Sequence, residues 1–208
     1  MPSPPRSAPR ERETLILWTI RQEKELRLLE QRGRLRSDGR RAPDYRREAY
    51  AWMGARLAEQ VPRPRGCHYP LWAWAQYAGS SRPRPDLRAR GHCPPGTRAV
   101  LLELELPRKH VLLSDFQKWH AVLNRRYLAD TERQHGTFER ALRRAGVPET
   151  WPYPEPFASQ IIASWNRVFD LSGKDTAYWG PLNQREIQAV FWELRAEHVR
   201  GITGFRAR

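Results

Sequence analysis

The sequence predicts a single compact α+β domain in which helices flank a mixed or antiparallel sheet of about five to six strands. The 208 residues fall within the usual length of one domain. Apolar residues make up 39% of the chain and aromatic residues 11%, enough for one core. Strand-like and helix-like stretches alternate irregularly, which favours α+β over a regular βαβ series. We place the domain at residues 14–208 and expect the Pro- and Arg-rich residues 1–13 to be a disordered tail.

The first half of the chain contains two predicted strands that are separated by two helices. Residues 14–20 form a continuous apolar run, which is typical of a strand buried on both faces. A helix of about three turns then ends at Gly33, and apolar residues at helical spacing predict a second helix over residues 50–61. Residues 69–77 alternate as a strand does, and the Pro-, Gly- and Arg-rich residues 80–96 predict a long loop.

The second half begins with the clearest strand, residues 100–106, in which Leu and Glu alternate. Ser114 and Gln117 have the spacing of a capping box, which predicts the start of a helix. Later apolar periodicity predicts two more helices, and the chain closes with two predicted strands. The predicted helices lie at residues 114–127, 137–144 and 157–168, and the closing strands at residues 187–194 and 199–205.

The charge of the chain permits two interpretations. The formal net charge is +14, and only four of the 37 basic residues are lysines. Clustered basic residues bind nucleic acids by releasing counterions from phosphates. The arginines are nevertheless scattered along the sequence, so the alternative is a solvated basic surface without a dedicated partner.

Several classes of protein are not expected from this sequence. No apolar run approaches the roughly 18 residues that would span a bilayer, and no apolar segment follows a basic one at the N-terminus. We therefore expect a cytoplasmic protein whose cysteines, Cys67 and Cys93, are free thiols. Cys67-His68 and His92-Cys93 lack the ligand spacing of a zinc site, so we expect no metal.

Trp72 and Trp74 share one face of their predicted strand, and an arginine-rich loop, residues 82–90, follows them. Aromatic rings beside positive charge suit a ligand with a planar base and phosphates, either a nucleotide or a single-stranded nucleic acid. The alternative is that both tryptophans belong to the core.

Carboxylates and an amide occur among apolar residues in two strands. Glu103 and Glu105 share a strand face, as paired carboxylates of glycosidases do, although alternating Leu and Glu is also typical of a half-solvated strand. In the closing strand, Gln188 and Glu193 lie among large apolar residues, where a polar group needs a partner. Either they serve a functional site, or Glu193 reaches water or an arginine near the strand end.

Sequence blocks along nearly the whole chain carry a family resemblance. They include Leu-Trp-Thr-Ile at residues 17–20, Tyr-Pro-Leu-Trp-Ala-Trp at residues 69–74, Arg-Pro-Asp-Leu-Arg at residues 84–88 and Ile-Gln-Ala-Val-Phe-Trp-Glu at residues 187–193. Through these blocks the chain resembles a bacterial family known as a domain of unknown function, number 3841. That resemblance implies no activity.

A more distant resemblance is to ADP-ribosyltransferases, which carry a Gln-x-Glu motif before a late strand, as Gln184-Arg185-Glu186 does here. The resemblance implies NAD as the cofactor and a carboxylate that stabilises the oxocarbenium-like centre formed when nicotinamide leaves. In this sequence Trp18 replaces the family's first-strand His or Arg. The residues implied in catalysis are Glu186, Gln188 and Glu193, and those implied in cofactor binding are Trp18, Thr19, Arg21, Tyr69, Trp72, Trp74 and Arg88.

Two functions are therefore predicted. The first is an ADP-ribosyltransferase-like enzyme or a protein that binds NAD or another nucleotide. The alternative is a non-enzymatic protein that binds nucleic acid or another polyanion through its basic surface. The sequence does not determine the substrate or the oligomeric state.

Overall fold

The computed structural model describes residues 13–37, 39 and 42–208, so the predicted tail lies outside the described residues except for Glu13. The described part contains eight strands and six α-helices. The strands are β1 (Thr14–Gln22), β2 (Arg34–Arg36), β3 (Leu71–Gln76), β4 (Arg98–Pro107), β5 (Leu112–Asp115), β6 (Ile187–Phe191), β7 (Glu193–Arg195) and β8 (Val199–Arg206). The helices are α1 (Glu23–Arg32), α2 (Arg47–Ala58), α3 (Phe116–Leu123), α4 (Glu132–Arg144), α5 (Phe157–Ser164) and α6 (Thr176–Trp179).

Six of the strands form one sheet in the order β5-β6-β3-β1-β4-β8. Every neighbouring pair in this sheet is antiparallel. The other two strands, β2 and β7, form a separate antiparallel ladder. The predicted α+β class and the predicted number of strands in the main sheet are confirmed.

Apolar clusters cover both faces of the main sheet. On one face, which we call the helical face, helices α2 to α5 pack against sheet residues that include Trp72 and Val190. On the opposite face, Leu29 of α1 packs against Leu17 and Leu102. Adjacent residues of a strand point to opposite faces, so both faces bury large side chains from the same strands. This explains the continuous apolar run in β6, whose five residues are all buried. In β1 the prediction of burial on both faces is wrong, because Ile16 is exposed and Trp18 is only partly buried.

The helix ends follow local chemistry, and one of them differs from the prediction. Helix α1 ends as predicted at Gly33, which has a φ of 68° in the left-handed region. Helix α3 is capped by Asp115 and not by Ser114, because the Asp115 carboxylate accepts from the backbone N–H groups of Gln117 and Lys118 at 2.9 and 3.1 Å. Ser114 instead lies in β5 and is fully buried.

The predicted strand at residues 187–194 is wrong in its continuity, because the chain changes sheets at Trp192. Before this residue β6 pairs with β3 and β5, and after it Leu194 pairs with Leu35 in the small sheet. The Trp192 carbonyl accepts from the Cys67 thiol at 3.6 Å, and its indole N–H donates to the Val61 carbonyl at 2.8 Å. Trp192 is thus anchored to the loop that follows α2.

Three further observations bear on the predicted class of protein. Among the described residues, no helix has both the length and the apolar character needed to cross a membrane. Cys67 and Cys93 are both free thiols, as predicted. In the described part of the chain, no three His, Cys, Asp or Glu side chains come together as a metal-binding group.

Candidate functional site

A row of polar and aromatic side chains crosses the helical face of the main sheet. Residues directly opposite one another in an antiparallel pair have their side chains on the same face. Ser114 lies opposite Gln188, Gln188 opposite Trp74, Trp74 opposite Trp18, and Trp18 opposite Glu103. The fold therefore brings three of the predicted site residues, Trp18, Trp74 and Gln188, into one row that crosses five neighbouring strands.

Trp74 is the centre of an aromatic cluster at the end of β3. Its ring centroid lies 4.8 Å from that of Phe116 and 5.1 Å from that of Tyr77, and both pairs are edge to face. Phe116 in turn contacts the ring of His120 at 4.6 Å. Trp74, Tyr77 and Phe116 are only partly buried, so this cluster keeps aromatic surface exposed to solvent.

The amide of Gln188 and the hydroxyl of Ser114 lie side by side beneath this cluster. Gln188 is 5% exposed and Ser114 is fully buried. Neither Nε2 of Gln188 nor Oγ of Ser114 has a hydrogen-bond partner among the described residues. A buried amide or hydroxyl without a partner costs about 1 to 3 kcal/mol. This pair is therefore a place where a water molecule or a ligand group would gain hydrogen bonds.

Glu186 adjoins the same cluster from the other side of Phe116. The backbone N–H of Phe116 donates to the Glu186 carbonyl at 2.9 Å, and the side-chain amide of Gln117 donates to the Glu186 carboxylate. Burial raises the pKa of Tyr77, and the nearby carboxylates of Glu186 and Asp86 raise it further. The Glu186 carboxylate thus lies close to both Gln117 and Tyr77.

An open cavity of about 430 Å³ lies beside Glu186. It is bounded by the loop after β3, the start of α3 and the segment between α6 and β6. Arg82 in its wall is exposed and has no carboxylate partner in the part of the chain that the structure describes. The lining residues are Ala78, Arg82, Gln117, Trp179, Gly180, Pro181, Gln184, Arg185 and Glu186.

A buried ion network fixes the inner wall of this cavity. The Arg185 guanidinium lies 2.7 Å from the Asp175 carboxylate and 3.3 Å from the Asp115 carboxylate. The ammonium group of Lys118, which is fully buried, forms an ion pair with Asp175 as well. Burial alone would raise the pKa of Asp175, but hydrogen bonds from Arg185 and Lys118 hold that pKa below its ordinary value. Because Arg185 is engaged in this network, Arg82 is the cation that remains available to a ligand in this cavity.

Four of the other predicted residues lie outside this cavity. Trp72 packs among the helices, with its ring 5.1 Å from that of Trp119, and Tyr69 contacts the ring of Tyr50 at 5.8 Å. Thr19 is on the opposite face of the sheet from Trp18, where its hydroxyl donates to the Trp72 carbonyl at 2.8 Å. Arg21 donates to the same carbonyl. None of these four side chains lines the cavity.

Two more predicted residues are in ion pairs elsewhere. Arg88 is exposed and pairs with Asp86 at 3.0 Å, and this contact lowers the pKa of Asp86 to about 2. Glu193 lies at the other end of β6 from Glu186, where Arg36 binds its carboxylate at 2.6 Å. Glu193 thus reaches an arginine, as one of its two interpretations predicted, and its role in a functional site stays a prediction.

Glu103 and Glu105 have separate partners within the sheet. The Trp18 indole N–H donates to Glu103 at 3.1 Å. Glu105 accepts from Arg200 at 2.7 Å and from the Thr14 hydroxyl at 3.0 Å, and these bonds lower its pKa. Each carboxylate therefore supports strand pairing, as the half-solvated interpretation of this strand requires.

The cavity and the adjoining aromatic cluster contain residues that sequence reasoning did not select. Gln117 was recognised only as part of a helix cap, and Tyr77 and Phe116 only as apolar positions. Arg82 belonged to the arginine-rich loop but had no feature that set it apart from its neighbours. The usable signal was the Gln-x-Glu motif, because Gln184 and Glu186 both line the cavity.

Comparisons with known proteins identify a family. The family model described as "Domain of unknown function (DUF3841)" matches residues 16–200, which is most of the chain. No curated protein and no solved structure matched the chain. These comparisons do not support the resemblance to ADP-ribosyltransferases.

Proposed function

Since the chain belongs to the family of the domain of unknown function DUF3841, whose description states no activity, we propose a function from the site itself: the cavity beside Glu186 binds a small nucleotide-type molecule. The observation that carries the proposal is a cation and a carboxylate in the wall of one cavity, with a partly exposed aromatic cluster adjoining that wall. A nucleotide offers a complementary group to each of them.

The cavity supports this proposal through its size and its polar groups. Its volume of about 430 Å³ falls in the range of roughly 300 to 1,000 Å³ that is typical of small-molecule sites. Arg82 is free to bind a phosphate, which guanidinium groups recognise with paired hydrogen bonds. Glu186 and Gln117 can accept from and donate to the hydroxyl groups of a ribose.

The aromatic cluster supports the proposal from the adjoining side. Tyr77 immediately precedes Ala78 in the cavity wall, and Phe116 immediately precedes Gln117. A base that stacks on an aromatic side chain gains about 1 to 3 kcal/mol. The buried amide of Gln188, which has no partner in the described residues, lies next to Trp74 and can bind the edge of such a base.

Among nucleotides we propose NAD as the first to test. Glu186 is the carboxylate of the Gln-x-Glu motif, and it lines the cavity. A carboxylate held beside a bound ribose stabilises positive charge that develops at the sugar during loss of nicotinamide. Nucleotide binding involves the whole cavity, whereas transfer of ADP-ribose with loss of nicotinamide would depend on Glu186 alone.

Titration calorimetry with the purified full chain tests the binding claim. We expect NAD, ADP-ribose or AMP to bind measurably, and nicotinamide alone to bind much more weakly because it lacks the phosphate. Arg82→Gln should weaken binding about 10-fold or more, since a hydrogen bond to a charged group contributes roughly 1.5 to 3 kcal/mol. Glu186→Gln separates the two claims, because it should abolish any release of nicotinamide while the phosphate contact remains.

Arg90→Gln is the matched control for Arg82→Gln. Arg90 is also an exposed arginine of the loop between β3 and β4, and it has no ion pair in the described part of the chain. Its replacement removes the same charge without touching the cavity and should leave binding unchanged. Absence of binding by all three phosphate-bearing ligands, or equal losses in both variants, would refute the proposed function.

A further inference from the structure

The small sheet of β2 and β7 carries a second concentration of charge, at the far end of β6 from the cavity. Arg34 lies directly opposite Arg195, and Arg36 lies directly opposite Glu193. Because residues two apart in a strand share a face, all four side chains are on one face of this sheet. Leu35 and its partner Leu194 point the other way, into the core.

Two carboxylates lie near this face, and both are already paired with arginines, since Arg195 also lies 3.7 Å from the carboxylate of Glu197. Arg36 binds Glu193 at 2.6 Å, and Arg195 approaches the same carboxylate at 3.6 Å. Burial would raise the pKa of Glu193, but the hydrogen bond from Arg36 and the charge of nearby arginines hold it below its ordinary value. Arg34 is exposed and has no ion pair among the described residues.

Two arginines of the loop after α2 extend this face. The Arg36 guanidinium donates to the Arg65 carbonyl at 2.8 Å, which fixes that loop beside β2. The Arg63 guanidinium lies over the ring of Trp192, 5.0 Å from its centroid. Arg63 and Arg65 are exposed and lack carboxylate partners within the described residues. We call the group Arg34, Arg36, Arg63, Arg65 and Arg195 the arginine surface.

The pairing of Arg34 with Arg195 is unfavourable in the chain by itself. Like charges directly opposite each other in an antiparallel ladder destabilise the pair. The backbone register holds both residues there, and of the two only Arg195 has carboxylate partners among the described residues. A bound anion that contacts both groups removes this repulsion, and guanidinium groups match phosphate oxygens in geometry.

We propose that the arginine surface binds the sugar-phosphate backbone of a nucleic acid. A row of arginines on a strand and its neighbouring loop suits an extended chain of phosphates. The outward face of the small sheet presents no apolar side chain, because Leu35 and Leu194 point inward and Arg63 covers Trp192. A protein partner needs an apolar centre to its interface, so an acidic protein fits this surface less well.

The arginine surface is distinct from the proposed nucleotide cavity. Glu186 and Glu193 stand at opposite ends of β6, and seven residues of extended chain span about 23 Å. That distance exceeds the screening length of about 8 Å at physiological salt. The two sites therefore bind their ligands independently, and failure of one proposal leaves the other standing.

The test compares two double variants of the full chain that lose equal charge. Arg34→Gln with Arg195→Gln removes the facing pair. Arg133→Gln with Arg144→Gln is the control, because both are exposed arginines of α4 that have no ion pair in the described part of the chain. The probes are a fluorescent single-stranded oligonucleotide, a duplex of the same length, and poly-glutamate as a protein-like polyanion.

We expect the Arg34 and Arg195 variant to bind the oligonucleotides at least 10-fold more weakly at low salt. For the duplex, the slope of log K against log salt concentration should become shallower by about two, because each lost phosphate contact removes about 0.9 from that slope. The control variant should change neither quantity. The melting temperature of the test variant should stay close to that of the wild type, since the repulsion is relieved while the weak exposed ion pairs of Arg195 are lost.

Three results would overturn this proposal. Equal losses of oligonucleotide affinity in the two double variants would show that the nucleic acid is attracted only by the total charge of the protein. Unchanged oligonucleotide binding in the Arg34 and Arg195 variant would show that the arginine surface does not bind nucleic acid. Tighter binding of poly-glutamate than of the oligonucleotides would assign the surface to an acidic protein.

Discussion

Lys118 places a full positive charge inside the protein. Its side chain is completely buried, and its ammonium group contacts the Asp175 carboxylate and the carbonyls of Arg167 and Asp170 at 3.2 and 3.3 Å. These partners replace the water that the charge lost on folding. Lys118 thereby joins the start of α3 to the segment that forms the inner wall of the cavity.

Replacement of Lys118 by methionine should destabilise the protein strongly. Lys118→Met leaves Asp175 with only one of its two cations, and loss of one partner from a buried ion pair costs about 3 to 5 kcal/mol. Urea unfolding measures this loss. Lys174→Met is the control, because Lys174 is exposed and its replacement should change stability by less than about 0.5 kcal/mol. A loss below about 1 kcal/mol for Lys118→Met would show that the network contributes little.

The predicted site residues differ in how far the sequence could locate them. Alternation along the strands correctly predicted that Trp72 and Trp74 share a face and that Gln188 is buried. Only the register between strands brings Gln188 to Trp74 and Trp74 to Trp18. Register depends on contacts between residues far apart in sequence, which periodicity within one strand does not contain.

At the level of elements, the loop after β3 is held against the segment before β6 by a close contact at Gly79. Gly79 has a φ of 79°, and a Cβ added to it would lie 2.7 Å from the Asn183 carbonyl oxygen. The next residue donates its backbone N–H to the same oxygen at 2.7 Å. This contact positions Arg82 relative to Gln184 and Glu186.

Gly79→Ala should therefore impair both stability and nucleotide binding. The left-handed backbone alone costs a non-glycine residue about 1 to 2 kcal/mol, and the collision with Asn183 adds to this. Gly91→Ala in the same loop is the control, because Gly91 has a φ of 90° but no atom within 4 Å of an added Cβ. Urea unfolding and calorimetric titration compare the two variants. Equal effects on nucleotide binding would mean that the contact with Asn183 does not position the cavity.

Elements with strong local signals were predictable, and those that depend on distant contacts were not. The apolar spacing of α2 and the glycine after α1 are properties of a few neighbouring residues. The short strands β2 and β5 carry no periodicity of their own and exist because of their partners. The apolar run through Trp192 resembles one strand, since the buried residues of β6, Trp192 and Leu194 follow one another although β6 and β7 belong to different sheets.

At the level of the whole molecule, the net charge of +14 makes the folded state sensitive to acid. Among the described residues, six carboxyl groups have a pKa below the ordinary values of 3.8 for Asp and 4.5 for Glu. The folded protein therefore binds protons less readily than the unfolded chain does. The stability that these carboxyl groups contribute is fully present above their ordinary pKa values, and it is lost as the pH falls through the lower pKa values of the folded protein. The groups are Glu23, Asp86, Glu105, Asp170, Asp175 and Glu193.

The melting temperature should therefore fall steeply below about pH 4.5. Protonation removes negative charge from a chain that is already strongly positive, so added salt should restore part of the loss by screening repulsion between arginines. Thermal unfolding between pH 7 and pH 3, at low salt and at higher salt, measures both effects. A constant melting temperature over this range would contradict the stated role of these carboxyl groups.

The order of strands in the main sheet has a consequence for the growing chain on the ribosome. The ladders of β1 with β3 and β4 can form once residue 107 has emerged, but β6 inserts between β3 and β5 only after residue 191. Until then β3 has an unpaired, largely apolar edge. The outer edge of β4 is likewise unpaired until β8 has been synthesised. Such edges are sites of aggregation. We therefore expect the nascent polypeptide to be most prone to aggregation between the emergence of β4 and that of β8.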